Sequence, residues 1–541
     1  MSQGLKTTLD LLKRTHNDAA LRVLVPALDS PSAGIREGAL AAVLWRRSAE
    51  GHREALRRLH TADDRSKAIF QTHVGRVTHV LRDAVLGDDL QLCVNACEAA
   101  RWFQEYDLVP ALLTVLEDES SPNRELAGTT MLELVDLLYQ ELAGARRHDG
   151  RRDPELIRRH VVAALELSVG RFSKHKRREI VEAYLLLVRR DGIVLKRVLN
   201  DPHQSAFLVL VDVLSKSPLP GVIGLLLAFL DDPRTSSAAL SVVSKRSDPA
   251  FIRYLLRKIG HEPSGPVKRN LKRSESIAWL EHDDAALDRL DGAEQHAAVK
   301  LAMGCNIPRA NTFALVKHLL LHGEPMGRRA AAEALSEFNG ADANAVVLQA
   351  LDDEDPQVQA TVLKQLRHRG VLGALPRLVE KVDSPHAVVR DAARAGLDEF
   401  SFPRFLAAYD MLDEEVRSST GALVKKVDRR TIPQLEAELQ SRVRTRRLRA
   451  LSMARAIGAV KPVEETILGL LRDDDHIVRA EAAKALGRAE SAASLKALQE
   501  ALQDRSAAVE DAARESIAER SMSFSWLNRP FDPQDSQGPA R

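Results

Sequence analysis

The stretch LRDDDHIVRAEAAKALG, from Leu471 to Gly487, decides the fold. It reads as the end of one helix, a tight polar turn rich in Asp, and a second helix made largely of small residues. The same pattern returns as LDSPSAGIREGALAAVL from Leu28, LDDEDPQVQATVLKQL from Leu351, VDSPHAVVRDAARAGL from Val382 and LQDRSAAVEDAARESI from Leu502. Self-similarity at about thirty residues marks stacked helical hairpins, each unable to bury its apolar face alone.

The Val or Ile that enters the second helix serves as an anchor. In the C-terminal half the anchors fall at Val358, Val389, Val416, Leu448, Val478 and Val509. The same step runs back through Gly327, His296, Val267, Thr235 and His203, and the N-terminal copies sit near Ile35, Arg65, Val94 and Arg124. About sixteen or seventeen units are expected, least regular between Gly144 and Gly192. The quality of the copies suggests four segments: residues 1–143 as N-terminal repeats, 144–324 as degenerate helical repeats, 325–520 as well-formed repeats, and 521–541 as a disordered tail. In that tail Trp526, Leu527 and Phe531 are read as folding back to cap the last hairpin, with a short docking motif as the alternative.

Local chemistry supports the hairpins. Proline stands near the start of first helices at Pro110, Pro376 and Pro433, where its missing N–H has no intrahelical partner to lose. Turns such as DDPRTS and DSPHA place Asp where its carboxylate accepts the free N–H groups of the next helix. Second helices carry apolar or small residues at helical spacing, as in Val389, Ala392, Ala393, Gly396 and Leu397.

These features together resemble HEAT repeats: proline early in the first helix, Asp in the turn, Val389-Arg390 and Val478-Arg479 entering the second, and Ala pairs inside it. The short period is most similar to the bacterial HEAT-like class that includes the units of phycobilin lyases. The match is best from Pro325 to Ile517, and several middle units lack the arginine and the Ala pair. The resemblance implies an all-α solenoid, a right-handed superhelix of antiparallel hairpins with a concave face, and a scaffold or binding role. Bilin-lyase-like cofactor maturation is a further possibility that it raises.

Composition agrees with a repeat array. A globular chain of 541 residues would suggest about three or four domains, whereas a solenoid grows along one axis. Ala, Leu and Val fill the apolar positions, since aromatic residues make up only 4%. A formal net charge of +2 argues against bulk electrostatic binding of nucleic acid or membrane. Cys93, Cys97 and Cys305 are too few and too odd for a disulfide framework. The N-terminal MSQGLKTTLDLLKRTHNDAA reads as an amphipathic helix, not a signal peptide. The longest apolar stretch, near Gly221 to Leu230, is far short of the ~20 residues a membrane span needs. A cytoplasmic, bacterial protein is expected.

No catalytic constellation emerges. Phosphate-loop, dinucleotide, nucleophile-elbow, HExxH and CxxC patterns are all missing, and no cofactor is expected. Cys93 and Cys97 lie four apart on one helical face, but small buried apolar positions explain them better than a metal. The single pair His261-Glu262 is too little for the repeated His-Glu pairs of the HEAT-like di-iron hydroxylases. Alkylated-DNA glycosylases of HEAT-like type need an acid beside aromatics. Trp102 with Phe103, or Trp279 with Glu281 and Asp283, meet that requirement only superficially.

Charge is more informative. Gly144–Arg178 carries 11 basic against 4 acidic residues, Lys245–Arg273 carries 9 against 2, and Gly421–Ala450 carries 9 against 3. Glu333–Gln357 holds seven acids and no base. Such blocks form stripes on a regular solenoid and fit protein recognition better than wrapping of DNA. Aromatics do not interleave with the arginines, which disfavours stacking on single-stranded bases. The expected partner-binding residues are Arg442, Arg444, Arg446, Arg447 and Arg449, with Lys174, Lys176, Arg177 and Arg178. The expectation is a non-catalytic, protein-binding scaffold or adaptor, with nucleic-acid binding as the alternative.

Overall fold

Second helices begin where a turn residue satisfies their first N–H groups. Asp355 accepts from the Gln357 amide, Asp413 from Val416, Asp475 from Ile477 and Val478, and Ser491 caps a first helix through Ser494. Pro110 lies in the first turn of its helix, and Pro376 and Pro433 are the third residues of theirs. The computed structural model describes residues 3–144, 153–282 and 284–527, and side chains only as far as Arg520. Among these residues there are helices and no strand. Helices pack almost wholly on helices one or two hairpins away along the chain, which makes the fold an all-α solenoid.

The chain divides into two units, Met1–Gly327 and Arg328–Arg541. The first opens with the expected N-terminal helix, Gln3–Arg14. Its middle part continues as hairpins, for example Pro154–Val169 with Arg178–Leu187, Pro220–Ala228 with Ser237–Lys245, and Pro249–Ile259 with Gly265–Leu271. Two asparagines of this unit tie their helices to carbonyls of the preceding hairpin. Asn95 Nδ2 donates to the carbonyls of Leu56 (2.8 Å) and Arg57 (2.9 Å), and Asn270 Nδ2 to those of Leu230 and Asp232, both at 2.9 Å. The Gly and charged residues of ARRHDGRRDPE, Ala145–Glu155, suggest an exposed loop between helices, which as far as Arg152 lies outside the described residues. The apolar stretch after Gly221 falls in a buried helix. No single described helix is long and apolar enough to cross a membrane, and the nearest candidate is a pair bent by 110°.

In the second unit the second helices of successive hairpins are α1 (Pro356–Leu366), α2 (Ala387–Ala395), α3 (Glu414–Val427), α4 (Arg444–Ala456), α5 (His476–Leu486) and α6 (Ala507–Leu527). α1 packs on α2, α3 on α4, α4 on α5, and α5 on α6. Ala482, Ala483, Leu451 and Leu486 are fully buried in this stack, and each leucine contributes roughly 1.5–3 kcal/mol through burial. The contact between α2 and α3 is different: on that side α3 meets chiefly the short turn Asp398–Phe400. Trp526 and Leu527 fall within α6, but their side chains, like all of Phe531, are outside what is described.

An arginine–aspartate relay ties the turns together. Arg479 Nη1 donates to the carbonyls of Asp473 (2.9 Å) and Asp474 (3.3 Å) in its own turn. Its Nε and Nη2 reach both oxygens of Asp504 in the next turn, each at 2.9 Å. Asp504 in turn accepts the Ser506 amide at 2.9 Å. Arg447 repeats the arrangement through Ser441, Arg442 and Asp473, and Arg328 pairs with Asp353 at 3.0 Å. The matching residues place Arg446, not the expected Leu448, at the anchor of α4. The turn carbonyls set the register, while Leu448 packs partly buried beside the core.

Candidate interaction surface

Most of the arginines expected to bind a partner are already engaged within the chain. Arg444 pairs with Asp475 at 2.7 Å, Arg447 with Asp473 at 2.8 Å, Arg449 with Asp410 at 3.5 Å, and Arg446 approaches Glu438 at 3.9 Å. Arg442 is exposed and has no ion pair among the described residues. In the first unit Arg177 pairs with Glu125 (2.8 Å) and Glu179 (3.0 Å), and Arg178 pairs with Asp212. Lys176 adopts a left-handed backbone, φ 53°, at the end of the short helix Phe172–His175, and Lys174 is exposed on that helix. His175 between them is buried, with Nε2 3.0 Å from the Ser168 carbonyl.

The acidic block is likewise engaged: Asp352 with Lys381, Asp353 with Arg328 and Asp355 with Arg329. Opposite charges from different hairpins meet in these pairs, so the blocks are less polar in space than in sequence. The residues that remain most open at the turns entering α3, α4 and α5 are mixed. Met411 is 90% exposed, Val443 51% and Ile477 41%; Val443 stands between Arg442 and Arg444 with Arg446 close by, and Ile477 follows His476.

The residues weighed for chemistry are placed as follows. Cys93 and Cys97 are both buried, and the Cys93 thiol is pushed up by its hydrogen bond to Cys97 and by burial. Burial pushes the Cys305 thiol up to about 12. No group of three His, Cys, Asp or Glu fit to hold a metal occurs among the described residues. His261 lies against His296 with ring centroids 4.6 Å apart, and Glu262 pairs with Lys268 at 3.1 Å. Trp279 is buried, and Lys67 lies 4.3 Å over one face of the Trp102 ring. Asp283 lies outside the described residues.

One cleft, of about 390 Å³, opens where α2 and α3 fail to pack. Asp391 and Arg394 of α2 line it with Phe400 of the following turn and Asp428, Arg429 and Arg430 at the end of α3. Asp391 is shared by Arg429 at 3.1 Å and Arg394 at 3.5 Å. The Asp428 oxygens accept the amides of Arg430 (2.9 Å) and Phe402 (3.0 Å). Burial opposes ionisation of Asp428, but those amides outweigh it and hold its carboxyl below the ordinary range. The Nε and Nη1 atoms of Arg394 are buried and have no hydrogen-bond partner among the described residues. Sequence reading passed over this cleft because Arg394 sits inside one of the best repeat copies.

The fold and the turn relay define a helical-repeat protein. A family model described as HEAT repeats matches residues 313–398 and 432–518, so these two stretches are HEAT repeats. The unmatched interval between them holds the hairpin that ends in α3. No curated protein matches the chain. Among solved structures, an engineered protein is similar at 15% identity and a TM-score of 0.18, covering 93% of this chain and 98% of that one. Yeast importin-beta (Kap95p) is similar at 10% identity and a TM-score of 0.25, covering 95% and 85%. Kap95p in a structure concerned with RanGDP gives 10% and 0.27, covering 96% and 86%. Scores this low transfer nothing from those proteins to this chain.

Proposed function

We propose that this chain is a non-catalytic, cytoplasmic scaffold that binds a protein partner along the surface of its second helices and the turns entering them. The observation that supports this reading most is the open apolar residue at each of three successive turns, Met411, Val443 and Ile477, with Arg442, Arg444 and Arg446 clustered around Val443. Protein interfaces favour Met and Arg at their centres, whereas a phosphate backbone would call for unpaired cations. The HEAT match in the same unit agrees with it.

The test is affinity capture from the native cell with the full chain and with a variant carrying Met411→Asp, Arg442→Glu, Arg444→Glu and Arg446→Glu. Arg447 is left intact because it belongs to the turn relay. Loss of specific proteins from the variant is expected, together with no mobility shift of DNA or RNA at low salt. Identical recoveries from both chains would remove the surface, and a salt-sensitive shift would favour nucleic acid.

A further inference from the structure

Arg394 occupies a position that other second helices give to the core. It lies four residues after Arg390, whose Nη1 donates to the turn carbonyls of Ser384 and Pro385, both at 2.8 Å. The residues four after Arg447 and Arg479 are Leu451 and Ala483, and in α1 the residue four after Gln359 is Leu363. All three are fully buried. A guanidinium at this seam cannot pack as they do, and α2 and α3 stand apart around it.

Its donors point to what the seam accepts. A buried N–H without an acceptor carries a desolvation cost that stable folds rarely leave uncompensated. The nearby acids are shared or spent: Asp391 is divided between Arg429 at 3.1 Å and Arg394 Nη1 itself at a long 3.5 Å, Asp428 takes two amides, and Asp398 pairs with Arg404 at 3.2 Å, which leaves Arg394 Nε with no acceptor. Arg429 and Arg430 are exposed at the rim, and Arg430 reaches only Asp428, at 3.5 Å. Donors therefore exceed acceptors in the cleft, while its three acids oppose a multiply charged guest. Phe400 and Leu397 supply an apolar wall.

We propose that the cleft is a binding site for a single carboxylate carried on a peptide, with Arg394 as the inner anchor and Arg429 and Arg430 at the rim. The carboxylate comes either from an Asp or Glu side chain or from a peptide C-terminus. This deepens the reading of the chain as a protein-binding scaffold and rests on it.

The probes are heptapeptides with leucines flanking a central residue, titrated against full-length protein labelled with ¹⁵N-arginine. One has a central Glu and both ends blocked, one a central Gln and both ends blocked, and one a central Gln and a free C-terminus. Inorganic phosphate is the fourth probe. Saturable binding of the Glu peptide, with a shifted Arg394 Nε resonance, assigns the side-chain source; binding of the free-terminus peptide alone assigns the C-terminal one. Arg394→Gln is expected to weaken either by about tenfold or more, as loss of a charge-assisted bond does. Arg429→Gln with Arg430→Gln is expected to weaken it less. Arg394→Leu, which restores the core residue type, reports folding independently through its unfolding temperature. The proposal is overturned by equal binding of the blocked Gln peptide, by no binding of any peptide, by undiminished binding to folded Arg394→Gln, or by phosphate binding more tightly than the peptides. Cellular capture through the Met411–Arg446 surface is unaffected by any of these results, so failure of the cleft and of the scaffold reading remain separate.

Discussion

Arg479 and Arg394 both sit on second helices of the same unit, yet their surroundings are opposite. Arg479 is 5% exposed at its side chain and spends its donors on two turn carbonyls and a two-pronged carboxylate. Arg394 is 21% exposed; its buried Nε has no acceptor, and its Nη1 meets only Asp391, at 3.5 Å, which Arg429 shares. Where the guanidinium is satisfied, α4, α5 and α6 close up. Where it is not, α2 and α3 part. A buried cation stabilises a solenoid only when the next turn answers it. The contrast is therefore between a joint the chain completes by itself and one it leaves open.

The largest effect is expected from breaking the completed joint. Arg479→Leu leaves Asp504 and two turn carbonyls without their donor, and about 3 kcal/mol of local stability is expected to go, as when one partner of a buried pair is removed. Hydrogen exchange in α5 and α6 measures it, since opening there is local rather than global. Unchanged protection would mean that helix packing alone holds the joint. Next comes Gly421→Ala in α3. A Cβ there would stand 2.5 Å from Ile457 Cγ2 and 3.3 Å from the Ile457 Cα, which is backbone and cannot turn aside. A loss of about 1–3 kcal/mol is expected from this overpacking. It would sharpen the comparison by showing that α3 is pressed on α4 and open only toward α2.

Acid reads the same joint through its carboxylate. The hydrogen bond from Arg479 holds Asp504 below the usual carboxylate range, against burial, with the Ser506 amide assisting. A depressed carboxylate contributes stability that is full above its unfolded value of 3.8 and is lost as pH falls through the lower folded value. Protection of α6 is thus expected to drop in acid below about pH 4, and Asp504→Asn to be weaker at neutral pH but flatter across that window. Equal acid slopes in both proteins would show that other carboxylates govern the transition.

How much of this was legible in the chain follows from how local each device is. The turn aspartates and Val-Arg entries could be read because an Asx turn and an arginine reaching its own turn involve residues within one hairpin. In the first unit Asn95 and Asn270 bind carbonyls of the preceding hairpin, a link that no pattern within one hairpin signals. Arg446 and Arg447 misled the register because Leu448 looks like the apolar anchor. The basic blocks were visible as counts, but their partners, such as Asp212 for Arg178 and Asp475 for Arg444, come from other hairpins. Nothing in DAARAGL distinguishes Arg394 from an outward-facing arginine; only the fold shows that its Nε and Nη1 are covered.

The smaller predictions test the open joint and the surface. Arg394→Leu is expected to stabilise the second unit by about 1 kcal/mol, because an apolar side chain exchanges an unmet desolvation cost for core packing. Higher protection of α2 and α3 would record it, and a loss instead would show that Asp391 and solvent already satisfy the guanidinium. Arg444→Ala lies at the other end of the scale. Its pair with Asp475 is short, 2.7 Å, but the arginine is 47% exposed and the carboxylate 28%. Exposed pairs contribute about 0–1 kcal/mol, since ordering two side chains offsets most of the attraction. Asp475 also keeps its amides from Ile477 and Val478 at the head of α5 when the arginine is gone. Stability is therefore expected to hold within about 0.5 kcal/mol while capture of partner proteins falls. The reverse outcome, α5 protection lost and capture intact, would make Arg444 part of the relay and leave the turns entering α3 to α5 without a binding role.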